Sequence, residues 1–165
     1  MGPDAGMPPA KMRFSTRPVH RDDYEFLWNL RVESMSANIR EAFGVWNEEG
    51  ARRKFDDSYE ADLMTILQVD GVDAGMFKME ERASERFLAR IEILPAYQSR
   101  GVGSAVIMDL LSSKPPKPVT LQVFKTNRAR RLYGRLGFEI TGETGTHYQM
   151  KAEPAGLGPD RHPQL

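Results

Sequence analysis

No cysteine occurs anywhere in the 165 residues. That excludes a disulfide scaffold, a thiolate nucleophile and a thiolate-ligated metal site, and it fits a reducing compartment. Long apolar runs are missing too, since no stretch approaches the roughly 20 residues a membrane-spanning helix needs. Net charge is absent: 23 basic side chains cancel 23 acidic ones, so bulk charge favours neither nucleic acid nor an anionic membrane. Histidine is scarce, and the three present show no pairing at metal-ligand spacing, so no metal site is expected. The opening MGPDAGMPPAK lacks the basic and apolar regions of a secretory signal, and Gly6 breaks the myristoylation pattern. A cytoplasmic protein is the expectation that follows.

What is present suits one domain with a core of useful size. Residues 1–11 and 154–165 are rich in Gly, Pro and Ala and predict solvated tails, which leaves a single folded domain over 12–153. MRFSTRPV reads as a strand stopped at Pro18, where a ladder donor is lost. Asp22 or Asp23 can cap the helix after it, in which Phe26, Leu27, Leu30, Ser34 and Met35 recur at helical spacing. WNEEGARRKFDD suggests a second, shorter helix. LMTILQV and VDAGMFKMEE, joined by Asp-Gly, read as a hairpin. RFLARIEIL is a fourth strand whose alternation predicts Phe87, Ala89, Ile91 and Ile93 on one face and Leu88, Arg90 and Glu92 on the other. A helix over 101–113 is broken by KPPKP, VTLQVFK is a fifth strand, and NRARRLYGRLGF is a helix capped by Asn127 and ended by Gly137. FEITGE and THYQMKA close as a hairpin. The order β-α-α-β-β-β-α-β-α-β-β predicts an α/β (α+β) fold: a mixed, mostly antiparallel sheet flanked by helices, with parallel pairing available where a helix crosses over.

The junction ILPAYQSRGVGSAVIMDLL passes from strand to helix through Gly101 and Gly103 with almost no spacer. A helix N-terminus carries four amides without intrahelical partners and about half a positive charge. With no side chain in the way, those amides can close around an anion such as a diphosphate, and Ser99 and Arg100 can add donors. The plainer reading is that Gly101 serves a turn of positive φ and Gly103 close packing. A Walker loop is excluded because Ser104 and Ala105 follow Gly103. A dinucleotide fingerprint is excluded because Val106 stands where its third glycine belongs.

Gln98-Ser99-Arg100-Gly101-Val102-Gly103 resembles the Q/R-x-x-G-x-G/A segment of the GNAT superfamily of acyl-CoA-dependent N-acyltransferases. RLYGRLGF (131–138) resembles that family's second signature, and the order of elements agrees across the domain. The resemblance implies acetyl-CoA (coenzyme A) as cofactor, with Ser99, Arg100, Gly101, Val102, Gly103 and Ser104 around its pyrophosphate. Gln98 belongs to the same motif. It implies that the backbone of Ile91 and Ile93 pairs with the pantetheine arm as another strand would. Asn127 matches a further cofactor position, although its spacing to Tyr133 is one residue shorter than usual.

Transfer from a thioester to an amine raises two proton problems. A lysine-like amine lies about 3.4 pH units from neutrality at pH 7, a cost of roughly 4.6 kcal/mol that a general base relieves. The departing thiolate is helped by a donor such as a phenol. By resemblance Tyr133 is the acid and Glu92 the base. The plainer readings are a core aromatic for Tyr133 and a solvated carboxylate for Glu92. Trp46, His147 and Tyr148 are candidates for the acceptor site, against packing or simple exposure. The expectation is therefore an N-acetyltransferase moving acetyl to a primary amine, on a small molecule or a protein, by direct attack. The alternative is a non-catalytic acyl-CoA-binding module on the same fold. Nucleic-acid and membrane partners are not expected, and a homodimer is left open.

Overall fold

The computed structural model describes residues 13–156, so the expected N-terminal tail and most of the C-terminal one lie outside the described residues. Eleven strands and helices follow in the expected order, with short 3-10 turns between some of them. Seven strands form one sheet: β1 (Phe14–Pro18), β2 (Met64–Val69), β3 (Val72–Glu81), β4 (Arg86–Ile93), β5 (Val119–Phe124), β6 (Glu139–Glu143) and β7 (His147–Ala152). Their spatial order is β1-β2-β3-β4-β5-β7-β6, antiparallel at every junction except β4–β5. Only the crossover before β5 yields a parallel pair; β2 runs antiparallel to β1.

Local chemistry accounts for the element boundaries. Asp70 and Gly71 both take positive φ, as the two-residue hairpin between β2 and β3 requires. Helix α1 (Tyr24–Phe43) ends at Gly44, whose φ of 82° lets its amide return to the carbonyl of Arg40 at 2.6 Å. Asp23 precedes α1 but caps no amide within it. Its carboxylate instead accepts from the His20 amide and from Arg17, which also grips Asp73 of β3. The Arg17 hydrogen bonds hold the Asp23 carboxyl down at about 2. Helix α2 (Glu48–Asp57) is capped by Asn47, which accepts from Gly50 N at 3.0 Å.

Helix α3 (Val102–Ser112) and helix α4 (Ala129–Arg135) pack on one face of the sheet. There Val102, Val106, Ile107, Leu110 and Leu111 meet Leu67, Leu88, Val119, Leu121 and Met150 in the larger core. The opposite face carries α1 and α2, whose Leu27, Trp28, Leu30 and Phe55 close over Met64, Ile66 and Met76. Trp28 is therefore a packing residue, edge-on to Phe55 at 5.5 Å. Beyond β7, Pro154 is buried and Ala155 N donates to Leu111 O at 3.0 Å, so the chain stays docked past Glu153.

A further feature departs from the sequence reading. The expected even alternation along β4 fails because Lys78 faces Arg90 while Met79 faces Leu88, leaving Ala89 unmatched in a bulge. The side-chain phase flips there: Leu88 shares the α3 face with Ile91 and Ile93, whereas Glu92 turns toward α1. β7 slots between β5 and β6, so His147 lies on an interior strand.

Candidate active site

The bulge has a second effect. β4 pairs with β5 only from Arg86↔Val119 to Leu88↔Leu121, after which the two strands part. Before the bulge, Arg86 N points toward β5 and donates to Pro118 O at 2.9 Å. After it, Leu94 N points toward β3 and donates to Ala74 O at 2.8 Å. By strand alternation, Ile91 and Ile93 then turn their amides and carbonyls to the open side. The Ile93 carbonyl accepts from Gln98 Nε2 at 2.9 Å. Half of β4 is thus an edge strand inside a sheet, with its backbone facing a cleft.

That cleft has a volume of about 220 Å³. It brings together Ile91, Glu92, Asn127, Tyr133 and His147 among the expected residues. Tyr133 on α4 is 7% exposed, beside Phe138 at 5.7 Å between ring centroids. Burial alone pushes its phenol up to about 12, so it keeps its proton throughout the neutral range. Glu92 is not solvated: it is 3% exposed, and its Oε1 accepts from Arg31 Nη1 of α1 at 2.6 Å. Asn127 uses its Oδ1 to accept from Ala129 N at 2.9 Å and so starts α4. His147 stacks on Phe124 at 4.1 Å, its Nδ1 lies 2.8 Å from Thr146 Oγ1, and partial burial lowers its pKa.

At the mouth, Gln98, Ser99, Arg100 and Gly101 form an exposed turn ahead of α3. Ser99 has φ 60° and Gly101 φ 82°, two left-handed residues that curl the backbone into a concave run of amides. Ala105 N finds Gly101 O at 3.0 Å, one helical turn back, and the amides of Val102, Gly103 and Ser104 precede it without intrahelical partners. A Cβ on Gly101 would meet nothing within 4 Å, so φ rather than space demands glycine there. A Cβ on Gly103 would point between Ile93 Cδ1 and Leu132 Cδ2, 3.6 Å from each, an ordinary contact. Val102 sends its side chain into the core, 1% exposed, and offers the loop only its amide. These residues fit a diphosphate: amides without intrahelical partners, a helix N-terminus and a guanidinium within one turn.

Trp46 packs against the α1–α2 core and Tyr148 lies under Lys125 and Arg130 on the α4 face; neither lines the cleft. Arg31, Met35, Arg90 and Phe124 do line it, although sequence reasoning did not select them. Arg31 carried a signal. It falls four residues after Leu27 and four before Met35, a charge on the apolar stripe of its helix.

A mixed, mostly antiparallel sheet with its elements in this order, and a glycine turn leading into α3 beside the parted strands, agrees with the resemblance to the GNAT acyltransferases. A family model described as "Acetyltransferase (GNAT) domain" matches residues 31–152, and the chain belongs to that family, whose acyl donor is acetyl-CoA. Among solved structures it is similar to a PaiA N-acetyltransferase from Thermoplasma acidophilum in complex with coenzyme A. The TM-score is 0.70 at 18% identity, over 86% of this chain and 99% of that one. It is also similar to the ribosomal-protein-S18-alanine N-acetyltransferase of Escherichia coli (TM-score 0.64, 20% identity, 88% and 97% covered). Naa50 of Arabidopsis thaliana, in complex with the bisubstrate analogue CoA-Ac-MVNAL, gives TM-score 0.58 at 16% identity, with 85% and 98% covered. At these identities the likeness is one of fold. No curated protein matches the sequence.

Proposed function

We propose that this protein transfers an acetyl group from acetyl-CoA to a primary amine by direct attack. The observation that carries the reading is the cleft at the parting of β4 and β5. One wall presents a buried, protonated phenol, the other a buried carboxylate, and the glycine turn packs at the open end of β4 through Gln98 and Gly103. Acetyl-CoA, when bound, supplies the activated acyl thioester. The turn from Ser99 to Ser104 holds the pyrophosphate through backbone amides, with Arg100 adding charge. The Ile91 backbone and the Ile93 amide offer unpaired groups to the pantetheine arm, as a neighbouring strand would, while the Ile93 carbonyl is shared with Gln98.

Tyr133 then acts as a hydrogen-bond donor to the departing sulfur. A phenol held near 12 is a weak acid, and its value here is a fixed O–H in a dry wall rather than full proton release. Glu92 takes the proton of the incoming ammonium, directly or through water, and Arg31 holds its carboxylate in place. With no cysteine in the chain, an acyl-cysteine intermediate is excluded.

Thiol release from acetyl-CoA, measured with a panel of primary amines, tests the reading. Amine-dependent release is the expected result. Tight coenzyme A binding with no release for any amine would instead identify a non-catalytic acyl-CoA-binding module.

A further inference from the structure

The charges inside the cleft do not balance. Its lining holds two guanidinium groups, Arg31 and Arg90, one carboxylate, Glu92, and the imidazole of His147. The two acids whose charge reaches Arg90 are both already taken. Glu92 pairs with Arg31 at 2.6 Å, and Glu60 pairs with the buried Lys78 at 2.5 Å. Arg90 is left with a hydroxyl, donating from Nη2 to Ser58 Oγ, and makes no ion pair with a described residue. It is half-buried on the inner side of the bulge, across from Lys78 in the strand register. Burial and the Arg31 cation both disfavour its charge, which Glu92 and Glu60 only partly offset.

A guanidinium stays charged at any ordinary pH, so a half-buried one without a counter-ion is a standing cost to the fold. A bound anion removes that cost. The fork of Arg90 has donors free beyond the one spent on Ser58, and a planar carboxylate matches such a fork with two parallel hydrogen bonds. We propose that the amine acceptor carries a carboxylate, and that Arg90 is the residue that binds it. The acceptor class is then an aminocarboxylate, such as an amino acid, and not a polyamine, whose second ammonium would face two guanidiniums. This inference rests on the acyl-transfer reading above.

The test uses the full chain and three amines matched in length: 4-aminobutyrate, putrescine and n-butylamine. With acetyl-CoA and thiol release as readout, kcat/KM for 4-aminobutyrate should exceed that for putrescine by about tenfold or more, as expected for one partly desolvated ion pair. R90Q should abolish the preference, mainly through KM, and R90K should keep part of it. Equal rates, or a preference for putrescine, would overturn the proposal. A second arm needs neither turnover nor a variant: calorimetric titration of the wild-type protein with glutarate and with 1,5-diaminopentane. Binding of glutarate alone supports the subsite even if no amine is acetylated, in which case only the acyl-transfer reading fails. Binding of the diamine, or of neither, removes the subsite.

Discussion

At the scale of single residues, the proposed mechanism rests on two buried groups, the phenol of Tyr133 and the ion-paired carboxylate of Glu92. Tyr133 is held in its protonated form by burial, with a pKa of about 12 against an ordinary value near 10. Tyr133→Phe removes the O–H and leaves the ring packing on Phe138, so kcat should fall by about tenfold to a hundredfold with the dissociation constant of acetyl-CoA nearly unchanged. Equal turnover would reduce Tyr133 to a core aromatic. The same shift makes a stability statement. A group whose folded pKa is raised contributes stability that is complete below pH 10 and is lost as pH climbs toward 12. The loss is about two pH units' worth, roughly 3 kcal/mol. Denaturant titrations should therefore show the wild type losing more stability over that alkaline interval than Tyr133→Phe does. Glu92→Gln keeps the shape and removes the base. Its rate should fall most at low pH, where the neutral amine is scarcest, and recover as pH rises toward the acceptor's own pKa. A loss that is uniform across pH would assign Glu92 to positioning through Arg31. Because Glu92→Gln also leaves the Arg31 guanidinium without its carboxylate, the variant should be less stable, by about 3 kcal/mol.

At the scale of elements, the letters disclosed periodicity and punctuation but not pairing. Helix and strand order, the Asp70-Gly71 hairpin, the role of Asn127 at the start of α4 and the Gly137 stop were all legible, since each is a local choice of backbone angle or donor. The bulge at Ala89 was not. RFLARIEIL alternates without a glycine or proline to mark the slip, and only the register against β3 reveals it. That slip moves Leu88 onto the face of Ile91 and Ile93, while Glu92 stays on the opposite face, as its alternation with them indicates. The insertion of β7 between β5 and β6 was hidden for a similar reason: a hairpin fixes who pairs within it, not who pairs outside. Arg90 was read as one polar position among several, because whether a charge has a partner is a property of folded neighbours. The glycine turn divides in the same way. Gly101 is demanded by its φ, whereas Gly103 has room for a methyl group. Gly103→Ala should fold at least as well as wild type and bind coenzyme A with little change, since alanine is the better helix former by about 1 kcal/mol. Gly103→Val adds two branches between Ile93 and Leu132 and should weaken coenzyme A binding far more than it lowers the melting temperature. Unchanged affinity in folded Gly103→Val would remove that position from the cofactor site.

For the molecule as a whole, cofactor binding and fold stability are linked. A ligand at 100 times its dissociation constant adds about 2.7 kcal/mol, which for a chain of this length raises Tm by roughly 5–10 °C. A coenzyme A titration that leaves Tm unmoved would refute cofactor binding itself. The parting of β4 and β5 carries one more consequence. The sheet is continuous only because of a short parallel stretch ending at Leu88↔Leu121 and because α3 underlies both halves. On the other face, the core of α1 and α2 draws on β2 and β3 and on none of β5 to β7. The protein is thus two half-sheets sharing a floor, and the missing rung between them is shaped like a ligand. Amide hydrogen exchange should show this as slow exchange at Leu88 and fast exchange at Ile91 and Ile93, three to five residues further along the same strand. Coenzyme A should erase the contrast, because its pantetheine arm would take the place of the missing strand.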